Sequence, residues 1–508
     1  MPYLLGIDVG TSGTKTILVD HRGKLVGKAV GEYPLYSPRP GWTEQEPEDW
    51  WQATVATVRE VLAKTGVKSD RIAGVGLSGQ MHGSVFLDQA GQVIRPAILW
   101  NDQRTAAQCE SITAAVGKKR LVAETCNPVL TGFQAPKIVW LRENERDSYE
   151  RVRQVLLPKD FVRYRLTGEF ATEVSDASGT ALFNVPERRW SETVLSRIDL
   201  PREWFPRVHE SPEVTGVITP AVAELTGLKA GTPVVGGGGD QAAGGIGNGI
   251  VESGAVSCTT GTSGVVFAHL DAPLMDPKLR THTFCHAVPG KWHVMGVMLS
   301  AGGSLRWLRD TVFGQEKSVS EQLGVDPYEL MTAEAARVPP GSEGLIFLPY
   351  LTGERTPYPD PDARGVFFGL GLNHDRRHLA RAVLEGVAYG LRDSFELIAT
   401  LGVEMPQVRV SGGGARSRLW RQIQADVTGR EMCVINVDEG AAFGAALLAG
   451  VGSGIYADVV TACRETIRVV DALPPDTIAM ARYASGYEVY QSLYGVLRAS
   501  FGKLSGLQ

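Results

Sequence analysis

The sequence predicts an α/β protein built from two copies of one fold. Short strands bounded by glycine-rich turns alternate with amphipathic helices, and the tetrapeptide GTSG follows a strand at Gly10–Gly13 and again at Gly261–Gly264. The two occurrences lie 251 positions apart in a chain of 508 residues, close to half its length. A tetrapeptide of small residues recurs easily by chance. The matching context favours duplication, because in each copy GTSG is followed by a second apolar strand, TILVD in one and VVFAHL in the other. Length alone suggests about three domains at ~150 residues each; the repeat suggests two, divided near Gly249–Gly254.

In chain order, Tyr3–Val9, Thr16–Asp20 and Leu25–Val30 read as three strands of an antiparallel meander, the last two joined by the turn His21-Arg22-Gly23-Lys24. Pro47 suits the first turn of a helix, and Trp50, Trp51, Val55, Val58, Val61 and Leu62 recur at helical spacing until Gly66. Strands are expected at Ile72–Leu77 and at Thr232–Val235, the second running into four glycines. In the other half Ala255–Thr259 is strand-like, and Leu379, Val383, Val387, Leu391, Phe395 and Ile398 mark a long amphipathic helix. Val408–Val410, the loop Gly412-Gly413-Gly414 and the face Leu419, Ile423, Val427 form a strand, loop and helix that stop near Gly429.

Composition removes several classes of function. Glycine supplies 59 of the 508 residues, well above its usual share of about 7 %, but with no G-X-Y period. Lys and Arg number 51 against 56 Asp and Glu, a formal net charge of −5, which removes any whole-molecule electrostatic case for nucleic acid or an anionic membrane. No stretch reaches the ~18 to 20 apolar residues of a membrane span, and the N-terminus MPYLLGIDVG lacks the features of a signal peptide. A cytoplasmic protein is expected. The six cysteines contain no CxxC pair and suit buried free thiols.

Four motifs carry chemistry. In Asp8-Val9-Gly10-Thr11-Ser12-Gly13-Thr14-Lys15, glycines let backbone approach an anion, Thr11 and Ser12 offer hydroxyls and Lys15 adds charge, which describes a phosphate cradle although GxxxxGK[ST] is absent. Alone, the loop reads better as a glycine-rich hairpin turn; Asp8 at the strand end tips the balance, because that is where Mg²⁺ would be held, usually through water. Gly74–Gly79 formally matches GxGxxG, but its first glycines fall inside a strand and no helix follows, so the dinucleotide reading fails. Gln80-Met81-His82 after that strand reads as a side-chain cluster. In GGGGDQAAGG, Asp240 is the only ionisable group, a candidate general base tuned by partial desolvation, or else a capping residue in a turn. His282, Cys285, His286 and His293 follow a strand pattern with no carboxylate and read as core, not metal ligands. Trp50, Trp51, Trp100, Trp140 and Trp292 read as packing.

These residues also resemble the FGGY carbohydrate kinases, most closely their xylulokinase branch. The likeness runs from Leu5 to about Gly450 through GIDVGTSGTK, GWTEQEPEDWW, SGQMHG, PAILWNDQR, LLPKDFVRYRLTGE, GGGGDQAAG, FLPYLTGERTP, GVFFGL and SGGGARSRLWRQIQAD. It implies two ribonuclease H-like domains of the actin/hexokinase-type ATPase superfamily with an interdomain cleft: residues 1–248 binding sugar and 249–508 binding nucleotide. It implies ATP and Mg²⁺, transfer of a phosphoryl group to D-xylulose, and a homodimer. Asp240 would take the sugar hydroxyl proton, and Asp8 would act near Mg²⁺. Met81, His82 and Gln241 would contact the ketose. Gly10, Thr11, Ser12, Gly13, Lys15, Gly261 and Thr262 would face the phosphates, and Gly302, Gly412, Gly413, Gly414 and Ser417 the nucleotide. Two residues depart from the pattern: Gln241, where some xylulokinases carry Asn, and Gln134, expected to lie away from the chemistry. Kinases for ribulose, sedoheptulose or glycerol and a non-kinase actin-like ATPase are the alternatives.

Overall fold

A computed structural model describes residues 1–505, less the side chains at 319, 321, 323 and 505; residues 506–508 of the expected second half lie outside the described residues. Two seven-stranded sheets organise it. In the first, Tyr3–Val9 pairs antiparallel with Gly13–Asp20 and parallel with Ile72–Gly79. In the second, Ala255–Thr260 pairs antiparallel with Gly264–Leu270 and parallel with Gln407–Ser411. Each GTSG is therefore the turn of an equivalent hairpin whose first strand has an equivalent parallel neighbour. The duplication read from a tetrapeptide is visible in the strand pairing.

Local signals account for the elements that flank the first sheet. The helix Pro47–Thr65 opens on Pro47, whose missing N–H would be unpaired there in any case, and closes on Gly66 at φ 64°, a left-handed cap whose N–H donates to the Leu62 carbonyl. Its Trp50, Trp51, Val58 and Val61 form one core with Leu5, Ile7, Val9, Val75 and Leu77. Side chains alternate across a strand, so Leu4, Gly6 and Asp8 with Gly74, Gly76 and Ser78 belong to the opposite face.

That opposite face receives a helix from the far end of the chain, Gly440–Gly452. Leu4, Ile17, Val19 and Val235 share a core with Ala442, Ala446 and Leu447. Glycine makes the contact possible. A Cβ on Gly6 would stand 2.0 Å from the Ala442 carbonyl oxygen, and one on Gly76 would stand 1.9 Å from that of Ala445. The same helix meets Asp240–Gly247 at Gly444, where a Cβ would fall 1.8 Å from the Ala243 oxygen. Several glycines that in sequence resemble ligand loops are thus a groove for a helix.

The long helix Arg376–Ala399 begins with a capping box between Asp375 and His378. It packs in the core of the second sheet with Thr477–Ser505, which contributes Tyr483, Tyr487 and Tyr490. Five of the six cysteines are buried and all are free. No helix among the described residues is long and apolar enough to cross a membrane.

Candidate active site

Asp8 and Asp240 are brought together by one strand. Asp8 lies opposite Ser78 in parallel register, and Gly238 lies opposite Ser78 from the other side, two residues before Asp240. Gly237, at φ 74°, allows this close approach: its Cβ would stand 1.9 Å from the Leu77 oxygen. Asp240 is the first residue of a helix, not part of a flexible turn, and its Oδ1 accepts from the Gln241 N–H at 2.7 Å. Its carboxyl is pushed up to about 7, first by lost hydration and then by the Asp8 charge. Burial also raises Asp8, against the opposing charge of Lys15.

Both carboxylates line a cavity of about 290 Å³ together with Lys15, Gln241, Gly261, Gly412 and Glu439. Gly261 is shared with a second cavity of about 470 Å³, lined by Thr262, Gly302, Gly413, Gly414, Ser417 and Trp420. Ser417 caps the helix Arg418–Thr428 by accepting from the Trp420 N–H. The larger space is thus walled by a helix N-terminus and glycine backbone, an arrangement suited to anionic phosphates. Lys15 is held toward the smaller space by Glu439 at 3.2 Å.

The GTSG turn of the first hairpin lies elsewhere. Gly10, Thr11, Ser12 and Gly13 line neither cavity. The Thr11 hydroxyl donates to Gln80 Oε1 at 3.3 Å and accepts from Trp100 Nε1 at 3.0 Å, while its carbonyl accepts from Gln45 Nε2 at 2.7 Å. Trp100 is 38 % exposed beside it, so its expected role in core packing does not hold.

Met81 and His82 also lie outside these two cavities, next to Asp240's approach segment. Met81 is buried, and its side chain covers Gly239. His82 adopts a left-handed backbone, φ 68°, and its Nδ1 lies 2.7 Å from the Gly179 carbonyl. A carbonyl only accepts, so Nδ1 carries the proton and Nε2 is left as an acceptor. Burial, then the Lys137 charge, pushes the imidazole down to about 3, so it stays neutral.

Several supporting residues gave no clear sequence signal. Lys137 Nζ donates to the His82 and Gly132 carbonyls at 2.8 and 2.6 Å. Gln134 does not lie away from the site: its buried amide donates to Gly83 and Leu156 carbonyls at 3.2 and 3.3 Å, pinning the loop that carries His82. Behind Asp240, the Gly239 N–H donates to Ser175 Oγ at 3.1 Å, Ser175 donates to Glu173 at 3.0 Å, and Glu173 pairs with the fully buried Lys159 at 3.3 Å. The only cue in sequence was the density of charge in LLPKDFVRYR.

Among the described residues, no group of three or more His, Cys, Asp or Glu is gathered to hold a metal. One buried oxygen of Asp8, Oδ1, has no hydrogen-bond partner. A hard oxygen donor in that state fits Mg²⁺ reached through water, with nucleotide phosphates supplying the remaining ligands.

Comparison with known proteins agrees with this geometry. Xylulose kinase of Escherichia coli is 40 % identical over 96 % of this chain and 98 % of that protein. A gluconokinase of Bacillus subtilis is 33 % identical over 90 % of this chain and 87 % of its own. The crystal structure of xylulose kinase from Rhodospirillum rubrum superposes with a TM-score of 0.88 at 31 % identity, covering 98 % of this chain and all of that one. The N-terminal domain model of the FGGY carbohydrate kinases matches residues 3–247 and the C-terminal domain model matches 256–453. Two sheets built on equivalent hairpins, a cavity lined by two carboxylates and by strands of both, and both family models in sequence lead to one conclusion: the chain belongs to the FGGY family of carbohydrate kinases.

Proposed function

We propose that this chain transfers the γ-phosphoryl group of ATP to D-xylulose, with residues 1–248 holding the sugar and 249–508 the nucleotide. The observation that carries the reading is Asp240: a carboxyl near pKa 7 in a cavity that shares Gly261 with a second space of about 470 Å³. Asp240 accepts the proton of the attacking hydroxyl, and its raised proton affinity matches that task near neutral pH. Lys15 and the backbone of Gly261 and Gly412 face the charge that develops on the phosphoryl oxygens. Asp8 would hold Mg²⁺ through water, and the metal would neutralise charge on the β- and γ-phosphates. His82 Nε2 accepts a sugar hydroxyl, and Gln241 lies on the helix turn beside the base. Relatives named xylulose kinase, at 40 % and 38 % identity, support the choice of acceptor. The test is ADP release across D-xylulose, D-ribulose, sedoheptulose, glycerol and gluconate, repeated with Asp240→Asn. D-xylulose should give the highest kcat/KM; a higher value for another acceptor reassigns the substrate, and release independent of any acceptor rejects a sugar kinase.

A further inference from the structure

A cluster of side chains from both halves of the chain meets beside His82. Its ring lies 4.7 Å from that of Phe133 and 6.2 Å from that of Phe284, and His282 lies 6.5 and 6.0 Å from the same two rings. Asn127 fixes His282: its Nδ2 donates to the Thr283 carbonyl at 2.7 Å, so its Oδ1, 3.1 Å from His282 Nδ1, is the accepting atom. His282 Nε2 is then a lone-pair acceptor, and it is buried with no hydrogen-bond partner.

Arg355 is held at the end of Trp292–Met298, the strand paired with the one that carries His282. The Glu354 carboxylate on one side accepts from the Leu299 N–H at 2.9 Å. Thr356 on the other accepts from the Val297 N–H at 3.1 Å and donates to the Arg280 carbonyl at 2.8 Å. Strand Trp292–Met298 pairs with His282–Cys285, His282 opposite Met295, so these anchors fix Arg355 close to His282. Its charge acts on His82 and His282 alike, disfavouring their protonated forms. Burial lowers its own proton affinity. Its backbone N–H donates to Glu354 Oε1 at 2.8 Å, yet its guanidinium makes no hydrogen bond or ion pair among the described residues. Five N–H donors on a half-buried cation with no acceptor are unusual for a structural role.

We propose that Arg355 is a substrate-binding residue that donates to oxygen atoms at the unreacted end of the acceptor. The order of residues sets which end it meets. Asp240 marks the reacting hydroxyl, Gly239 and Met81 follow, and His82, Phe133 and His282 lie beyond them. A short polyhydroxylated acceptor lying along this line presents its far end to a donor-only guanidinium and to two acceptor-only imidazole nitrogens. Carbonyl and hydroxyl oxygens meet the first, and hydroxyl protons meet the second. Because His82 belongs to the first half and Arg355 to the second, the acceptor would join them. This rests on the sugar-kinase reading and adds to it a contact from the second half.

The test uses Arg355→Met and Arg355→Lys in the full-length protein, reading steady-state kinetics and the rise in Tm on adding acceptor or ATP. Loss of one charged hydrogen-bond donor should raise KM for D-xylulose about 10- to 100-fold and abolish the acceptor-induced rise in Tm. KM for ATP and the ATP-induced rise should stay within about twofold, with Arg355→Lys intermediate, as expected for a donor that keeps charge but not the planar fork. An acceptor KM and Tm response unchanged in Arg355→Met overturn the proposal. Equal loss of ATP and acceptor responses overturns it also, since that marks a structural role. If the wild type phosphorylates no ketose, the ketose reading fails, and the same Tm comparison with glycerol and gluconate still decides whether acceptor binding depends on Arg355.

Discussion

Replacing Gly76 by alanine tests the groove in the first sheet directly. The new Cβ would stand 1.9 Å from the Ala445 oxygen and 2.7 Å from its carbonyl carbon, where real Cβ contacts essentially never fall below 3.0 Å. Strand and helix must separate by more than an ångström, and both partners are backbone, so no side-chain rotation relieves the clash. Overpacking of this kind costs about 1–3 kcal/mol, here at the upper end, which corresponds to a fall in Tm of roughly 6–12 °C at 2–4 °C per kcal/mol. Activity should fall with it, because the same helix begins beside Glu439, which holds Lys15 in the smaller cavity. Gly495→Ala is the matched control: it lies inside the helix Thr477–Ser505, and nothing stands within 4 Å of its Cβ position. There alanine should stabilise by about 0.5–1 kcal/mol through helix propensity alone. Thermal unfolding and kcat of both variants decide the matter. A Gly76→Ala protein with wild-type Tm would show that the groove is not filled as described.

Asp240→Asn should lower kcat by about 10² to 10⁴ while leaving KM for ATP near normal, and wild-type kcat/KM for the acceptor should rise with pH to a plateau above about 7 as Asp240 loses its proton. A carboxyl whose proton affinity is higher folded than unfolded destabilises the fold as pH rises through that value, so Asp240→Asn should raise Tm at pH 8 and leave it unchanged at pH 4. His82→Ala should raise acceptor KM far more than ATP KM; equal effects would remove His82 from the acceptor site. Gln134→Leu removes both amide hydrogen bonds, at about 1–3 kcal/mol, and should lower Tm and raise acceptor KM although Gln134 lines neither of the two cavities; wild-type kinetics would deny it a part in holding the His82 loop.

The elements legible in sequence were those with local punctuation. Pro47 and Gly66 bound a helix whose ends could be placed to the residue, and the GTSG echo exposed a duplicated hairpin. The packing of Gly440–Gly452 was not legible, because it joins residues from about 200 to more than 400 positions apart and its signature is an absence of side chains. Gly74 and Gly76 fail the dinucleotide pattern, and their alternate spacing on a strand, matched by Gly6, offers a smooth face that has meaning only once a helix lies on it. Asp240 was legible because it is the one charge in a glycine run. The residues that aim it, Lys159, Glu173 and Ser175, are spread over three elements, and only the fold brings them to Gly239, 64 positions beyond Ser175. Gln134 was misjudged for the same reason: its partners at Gly83 and Leu156 are distant in sequence.

The late helix also dictates an order of events during synthesis. When residue 248 leaves the ribosome, every strand of the first sheet is present, but the face bearing Leu4, Ile17, Val19 and Val235 has no cover until residue 452 follows. At ~5–20 residues per second those intervening residues take roughly 10–40 s to make. Throughout that interval the nascent chain carries an open apolar sheet. The first half is made first but stays uncovered until most of the second has been made, so a fragment ending at 248 should aggregate where the full chain folds.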